Sequence, residues 1–133
     1  MYLDIPVQVG DTVYALTDRF VEYEPEKELA YTSVLGYHKT GEYHIIVGEF
    51  QVVSISISCN KKGEWTKKFR LSEKFKDIIN DEDYRTSNEN FTFDSVGKFV
   101  FTDMSEAMYN YSKLETKIFD NYYDCYKYLK EKI

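Results

Sequence analysis

The sequence predicts an α+β fold, in which a strongly bent antiparallel sheet or a small barrel carries a C-terminal helix or helix pair packed on it. Segments rich in β-branched and aromatic residues, separated by turn residues, recur through residues 1–101. From 102 to 133 the apolar residues instead recur every three or four positions, the period of an amphipathic helix. A chain of 133 residues needs only one ordinary core, so we expect a single domain, 1–133.

The first strand follows a Gly10-Asp11 turn and covers 12–16, where β-branched and aromatic residues dominate. Residues 29–38 and 42–58 are both strand-like, and Lys39-Thr40-Gly41 between them predicts a hairpin. A strand of seventeen residues rarely runs straight in so small a protein. We therefore expect Gly48 to mark a bulge or a sharp bend.

A second hairpin is predicted around the turn at 60–63, Asn-Lys-Lys-Gly. Before this turn, Val53, Ile55 and Ile57 alternate with serines, which indicates one buried and one wet face. After it, residues 64–71 return with aromatic residues on a face that also carries a lysine, so we expect that strand to be partly exposed.

Residues 72–90 are mostly polar and complete the region 1–101, which is mainly β. We expect a short helical turn near 75–79, capped by Ser72, and then a mobile loop near 80–90. An extended piece, a turn and a last strand at 98–101 follow.

The segment 102–133 is predicted to be helical, with Thr102 or Asp103 as its cap. One apolar stripe is expected to pack on the sheet. Its first members are Met104, Met108, Tyr111, Leu114 and Ile118. The stripe is unbroken, whereas Asp120-Asn121 is a poor helix interior. One helix and two helices meeting near this pair are therefore both open, and two helices or one kinked helix are favoured.

Composition excludes several classes of protein. Hydrophobic residues at 43% and only two prolines exclude a fully disordered chain. No apolar run approaches the roughly 18 residues of a membrane span, and the N-terminus lacks a signal-peptide pattern. We therefore expect a cytoplasmic protein without a membrane partner.

No residues form a recognisable catalytic constellation, so we expect no enzyme and no cofactor. His38 and His44 flank the first hairpin turn, but further metal ligands are not evident, and we expect no metal site. Cys59 and Cys125 match neither a disulfide framework nor a metal motif, and both are expected to be reduced.

Charge is unevenly distributed along the chain, whose formal net charge is −6. Residues 1–58 carry nine acids and three bases, and residues 77–133 carry twelve acids and seven bases. Between them, residues 59–76 carry seven bases and two acids. A surface of this kind is dipolar, which bears on the steering of partners rather than on the fold.

Two segments, 9–14 (VGDTVY) and 93–107 (FDSVGKFVFTDMSEA), resemble the small accessory proteins of Gram-positive phages and mobile elements. In that group the first segment opens an SH3-like barrel and the second places the final strand directly before a helix. The resemblance implies that the small barrel would be SH3-like and that the protein belongs to a phage context. It supplies no catalytic residues.

The leading hypothesis is a non-catalytic protein that binds a host protein through an acidic, tyrosine-rich surface. Its acids are Glu22, Glu24, Glu26 and Glu28, and its tyrosines are Tyr109, Tyr123 and Tyr126, which with Tyr128 lie off the apolar stripe. Exposed tyrosine gives large contact area at small entropic cost. Such a surface would suit a basic, nucleic-acid-binding host protein, for example a CRISPR-type defence component that it inhibits. A run of acids is also typical of a merely solvated face.

The alternative is a nucleic-acid or nucleotide-binding module that uses the basic hairpin. Its residues are Lys61, Lys62, Trp65, Lys67, Lys68 and Arg70. Basic groups interleaved with aromatic rings suit phosphate contact and base stacking. Lysines on a hairpin also guard an edge against strand addition, and the aromatic residues could be core. Because the net charge opposes a polyanion, we favour a protein over a nucleic acid as partner, and a homodimer through the C-terminal helix stays open.

Overall fold

The computed structural model describes residues 6–22, 41–86 and 90–132 and has the predicted α+β class. Eight strands form an antiparallel sheet that, over these residues, is not closed into a barrel. The strands are β1 (Thr12–Glu22), β2 (Gly41–Cys59), β3 (Trp65–Leu71), β4 (Lys74–Asp77), β5 (Glu82–Arg85), β6 (Asn90–Thr92), β7 (Val100–Phe101) and β8 (Ile118–Phe119). The helices are α1 (Met104–Ser112) and α2 (Tyr122–Lys132), and a short 3₁₀ turn covers Phe93–Ser95.

The main path of the sheet runs β5-β4-β2-β1-β7, while β3 pairs with β2 and β6, and β8 pairs with β2. The chain divides into two compact units. Unit 1 comprises Met1–Thr17 and Val47–Lys113, and unit 2 comprises Asp18–Ile46 and Leu114–Ile133. The strands β1 and β2 each contribute residues to both units. The predicted single domain stays a prediction.

The core of unit 1 consists of buried apolar side chains from β1, β2, β3, β4, β7 and α1. Phe50 and Phe75 stack there with ring centroids 4.3 Å apart. Burying a large apolar side chain contributes roughly 1.5–3 kcal/mol, so the buried apolar positions of these elements dominate the stability of the unit. They include Val13, Ala15, Leu16, Val47, Val52, Phe69, Leu71, Val100, Phe101 and Ala107, all at most 2% exposed.

The irregularity that the sequence predicts at Gly48 lies elsewhere in β2. Gly48 pairs regularly with Asp77 of β4, and the register shifts instead between Val52 and Ser54. A Cβ on Gly48 would come within 2.6 Å of the Phe50 ring. Glycine is therefore required at this position by close packing and not by a bulge.

The helical turn predicted near 75–79 is wrong, because β4 and β5 form a hairpin there. The buried Asp77 carboxylate organises its turn by accepting hydrogen bonds from the backbone N–H groups of Ile79 and Asn80 and from the Asn80 side chain. The predicted mobile loop begins within this hairpin, and residues 87–89 lie outside the described residues. The predicted strand 29–38 and its turn at Lys39-Thr40 also lie outside them.

Two helices form, as favoured, and β8 separates them. Asp103 is the N-cap of α1, and its carboxylate accepts a hydrogen bond from Ser105 N at 2.9 Å. In unit 1, α1 contacts β7; in unit 2, α2 contacts β8. Neither helix of the described chain has the length and apolar character that crossing a bilayer requires.

The single packing stripe predicted for the C-terminal segment is wrong in part. Leu114 is buried, but Met104, Met108 and Ile118 are 47%, 37% and 53% exposed. The stripe assumed one continuous helical phase, whereas α1 ends at Ser112 and Ile118 pairs with β2 as a strand residue. The fully buried side chain of α1 is Ala107.

Candidate functional site

The basic hairpin of the sequence is a two-stranded ribbon in unit 1, defined here as residues 53–70. Its strands pair antiparallel from Ser54–Arg70 to Cys59–Trp65, which confirms the predicted hairpin. No residue from 53 to 68 is buried, whereas Phe69 at its base is 1% exposed. The ribbon therefore lies outside the buried core of unit 1, and its side chains are exposed or half-buried.

The register sorts the ribbon side chains onto two faces, because residues directly opposite each other share a face. The indole face carries Ile55, Ile57, Cys59, Trp65 and Lys67. The serine face carries Ser54, Ser56, Ser58, Thr66, Lys68 and Arg70. The predicted alternation of apolar residues and serines is present, but the apolar face is only half-buried, and Val53 at the register shift is 45% exposed.

Trp65 is the aromatic residue that the ribbon exposes. Its exposed fraction is 47%, so it is not a core residue, whereas Phe69 and Leu71 on the same side of β3 are buried. Lys67, two residues along the strand, is half-buried on the indole face. An open indole and a cation thus lie side by side on one face.

The turn of the ribbon is held by Asn60, whose role the sequence analysis missed beyond its place in a turn motif. The Asn60 side-chain oxygen accepts hydrogen bonds from Lys62 N at 2.9 Å and Glu64 N at 3.0 Å. Gly63 completes the turn with φ +81°, which a side chain would disfavour. This geometry keeps Lys61 and Lys62 at the exposed end of the ribbon.

The positive charge of the ribbon is not neutralised internally. Among the residues that the structure describes, the ammonium groups of Lys61, Lys62, Lys67 and Lys68 have no ion pair. Arg70 does interact within the chain. The ribbon holds five bases and one acid, which leaves twelve bases and twenty-two acids in the rest of the sequence.

Part of the outer edge of the ribbon strand β3 is not paired with another described strand. The strand β6 pairs with β3 only at Lys68, Phe69 and Arg70. Over Trp65–Lys67 the outer edge of β3 has no strand partner within the described ranges. A ligand that lies along the ribbon can therefore reach the tryptophan, the lysines and free backbone groups together.

The residues predicted to form the acidic, tyrosine-rich surface are only partly described by the structure. Glu22 ends β1 and is exposed, and Glu24, Glu26 and Glu28 lie outside the described residues. Tyr109 is 59% exposed on α1 in unit 1. Tyr123 and Tyr126, 68% and 45% exposed, are on α2 in unit 2. The three exposed tyrosines are therefore divided between the two units, one on unit 1 and two on unit 2.

The tyrosines of α2 have unequal roles. Tyr122 and Tyr126 stack with centroids 6.0 Å apart, and Tyr122 meets Tyr43 of β2 edge-on at 5.8 Å. Tyr128 is structural, because its hydroxyl accepts hydrogen bonds from the backbone N–H groups of Glu115 at 2.9 Å and Thr116 at 3.2 Å. The tyrosines of α2 that offer contact area are therefore Tyr122, Tyr123 and Tyr126.

An open depression of about 990 Å³ lies on unit 1 and is lined by residues of both charges. Lys76 and Arg85 in its wall already face acids, Asp81 at 3.0 Å and Glu73 at 3.5 Å. Its electrostatic attraction for an anion is therefore weaker than that of the unpaired ribbon lysines.

The histidine and cysteine side chains form no site in the described chain. His44 Nε2 lies 3.2 Å from Glu42 Oε2, and His38 is outside the described residues. Cys59 is exposed on the ribbon, whereas burial and the nearby Asp18 raise the pKa of Cys125 to about 12. Within 6–22, 41–86 and 90–132, no three His, Cys, Asp or Glu side chains are grouped to hold a metal ion.

Comparisons of the chain with family models, with curated proteins and with solved structures found no match. The resemblance to accessory proteins of Gram-positive phages and mobile elements therefore stays a prediction.

Proposed function

We propose that this protein binds nucleic acid through the basic ribbon, residues 53–70. The observation that carries the proposal is that one ribbon holds both the half-exposed Trp65 and four lysines that have no ion-pair partner in the described chain. Lysines of this kind can replace condensed counterions on phosphates, and an open aromatic ring can stack on a base. Both groups lie on a single two-stranded element.

This proposal reverses the order of preference that the sequence alone suggested. The ribbon residues are all described and belong to one unit. The exposure of Trp65 also excludes the alternative that this residue belongs to the core.

The excess of acids elsewhere in the chain does not prevent local binding at the ribbon. Six residue pairs of about 3.3 Å each give a ribbon roughly 20 Å long, and the Debye length at physiological salt is about 8 Å. Charges at or beyond the base of the ribbon are therefore strongly screened at its tip. Those acids lower the affinity most at low salt, where screening is weak.

The test replaces Lys61, Lys62, Lys67 and Lys68 with glutamate. We expect these substitutions to abolish binding to short DNA and RNA measured by fluorescence anisotropy, and to leave the thermal stability nearly unchanged because none of the four side chains is buried. The matched control makes the same charge change at Lys98, Lys113, Lys127 and Lys130, outside the ribbon. Equal loss of binding in both variants would mean that net charge, and not the ribbon, governs the interaction.

A second candidate function, binding to a host protein, is supported by the exposed tyrosines of α2. Tyr123 is 68% exposed, and Tyr126 stacks on Tyr122 at a second exposed position. Rigid aromatic anchors of this kind are typical of protein interfaces. If this function holds, Tyr123→Ala and Tyr126→Ala will weaken binding to a captured host protein that the four-lysine variant still binds. The cytoplasmic location and the anti-defence role are further predictions of this hypothesis.

A further inference from the structure

We infer that the ligand of the ribbon is a single strand and that Trp65 stacks on one of its unpaired bases. This inference rests on the proposed nucleic-acid function. It makes Trp65 the residue that selects between paired and unpaired ligands, while the lysines supply affinity that does not depend on base pairing.

The position of Trp65 favours a stacked base. The residue opposite it on the indole face is the small side chain of Cys59, and the outer edge of β3 beside it has no strand partner in the described chain. Lys67 lies two residues along the same face, about 7 Å away. A base on the indole would therefore place its own phosphate within reach of a lysine.

A duplex cannot use this arrangement without disruption. Its bases already stack on one another, and extracting one costs a few kcal/mol. A duplex also presents about one negative charge per 1.7 Å of axis, which increases repulsion from the acidic remainder of the chain. A flexible single strand can instead contact the ribbon without lying against the acidic remainder of the chain.

The serine face can support such a strand on the other side of the ribbon. Ser54, Ser56 and Ser58 are exposed, and their short hydroxyl side chains let a sugar-phosphate backbone approach closely. Lys68 on this face lies directly opposite Ser56 across the strand pair. A strand that stacks on Trp65 near the turn thus has cations available on both faces.

Intrinsic fluorescence provides the test, because Trp65 is the only tryptophan in the sequence. The wild-type chain is titrated at low salt with an oligothymidylate of about twelve nucleotides, within the roughly 4–16 that common single-strand-binding folds cover. A mixed-sequence duplex of the same length is the comparison. We expect the single strand to quench the tryptophan and to bind at least tenfold more tightly than the duplex.

Two variants refine this test, with binding followed through a labelled oligonucleotide. Trp65→Leu is expected to lose about tenfold or more in affinity for the single strand, and Trp65→Phe to keep much of it. Duplex binding as tight as single-strand binding, or an unchanged affinity in Trp65→Leu, would overturn the inference while leaving the proposed function standing. Absence of binding to either ligand would overturn both. The wild-type fluorescence signal does not depend on the folding of any variant.

Discussion

A single hydroxyl group links two parts of unit 2. Tyr128 on α2 accepts two backbone hydrogen bonds from the segment that leads into β8, at Glu115 and Thr116, and its ring packs on Phe119 with centroids 5.2 Å apart. In the sequence, Tyr128 lies off the apolar stripe just as the exposed tyrosines do, so the pattern does not reveal its structural role. Its role depends on where the chain turns between the helices.

We expect Tyr128→Phe to destabilise the protein by about 1 kcal/mol, because two backbone donors lose their partner but remain accessible to water. Urea denaturation measures the change. The matched control is Tyr126→Phe, whose hydroxyl makes no hydrogen bond to the described residues, so its stability should stay within about 0.5 kcal/mol of wild type. Equal effects of the two substitutions would contradict the assignment.

The two cysteines should differ strongly in reactivity. Cys59 is exposed on the ribbon, and Cys125 is fully buried with its pKa raised to about 12 by burial and by Asp18. Only the thiolate reacts, so near pH 8 the folded protein should react at one thiol and the urea-unfolded protein at two. Counting thiols with a chromogenic disulfide reagent checks this. Two fast-reacting thiols in the folded state would mean that Cys125 is not buried.

At the scale of elements, Gly48 allows β2 and β4 to pack their aromatic side chains together. A methyl group there would come 2.6 Å from the Phe50 ring and 2.7 Å from the Phe75 ring. We expect Gly48→Ala to lower the free energy of unfolding by about 1–3 kcal/mol, the usual cost of overpacking a core. Denaturant titration measures this loss, with the exposed Ser56→Ala in the same strand as control.

A double variant separates crowding from loss of backbone freedom. If the Gly48 methyl group clashes with the Phe75 ring, Phe75→Leu and Gly48→Ala together should cost less than the sum of the two single substitutions. Additive effects, or a Gly48→Ala protein as stable as wild type, would refute the close-packing explanation.

Local patterns in the sequence sufficed to predict some elements. The turn at 60–63 and the alternation around it predict the ribbon hairpin, because glycine and asparagine favour that turn and the alternation has a period of two. The start of α1 is likewise predicted, with Thr102 or Asp103 as its cap, because a cap bonds to a backbone group only two residues away, as Asp103 does.

Other features depend on contacts distant in sequence. The β4–β5 hairpin looks like a polar loop until Phe75 and Tyr84 are seen to pack edge to face at 5.6 Å. The exposure of Trp65 follows from the length of the ribbon beyond Phe69, which the alternation cannot give. The prediction of one packed apolar stripe over 104–118 is wrong in part because periodicity alone does not reveal where α1 ends.

At the scale of the whole molecule, the chain separates its charges by segment. The ribbon carries a net positive charge within a protein of net charge −6. This separation permits a local contact with a polyanion while the remaining acids oppose binding elsewhere on the surface. Strong dependence of affinity on salt is the physical consequence, because each phosphate contact releases counterions.

The salt dependence of single-strand binding measures how many phosphates the ribbon contacts. If four lysines contact phosphates, a plot of log affinity against log salt should have a slope of about −3. Replacing Lys61 and Lys68 with alanine should make the slope shallower by roughly 1 to 2, whereas Lys98→Ala and Lys127→Ala should leave it unchanged. A slope near zero, or one that the ribbon substitutions do not alter, would contradict the account.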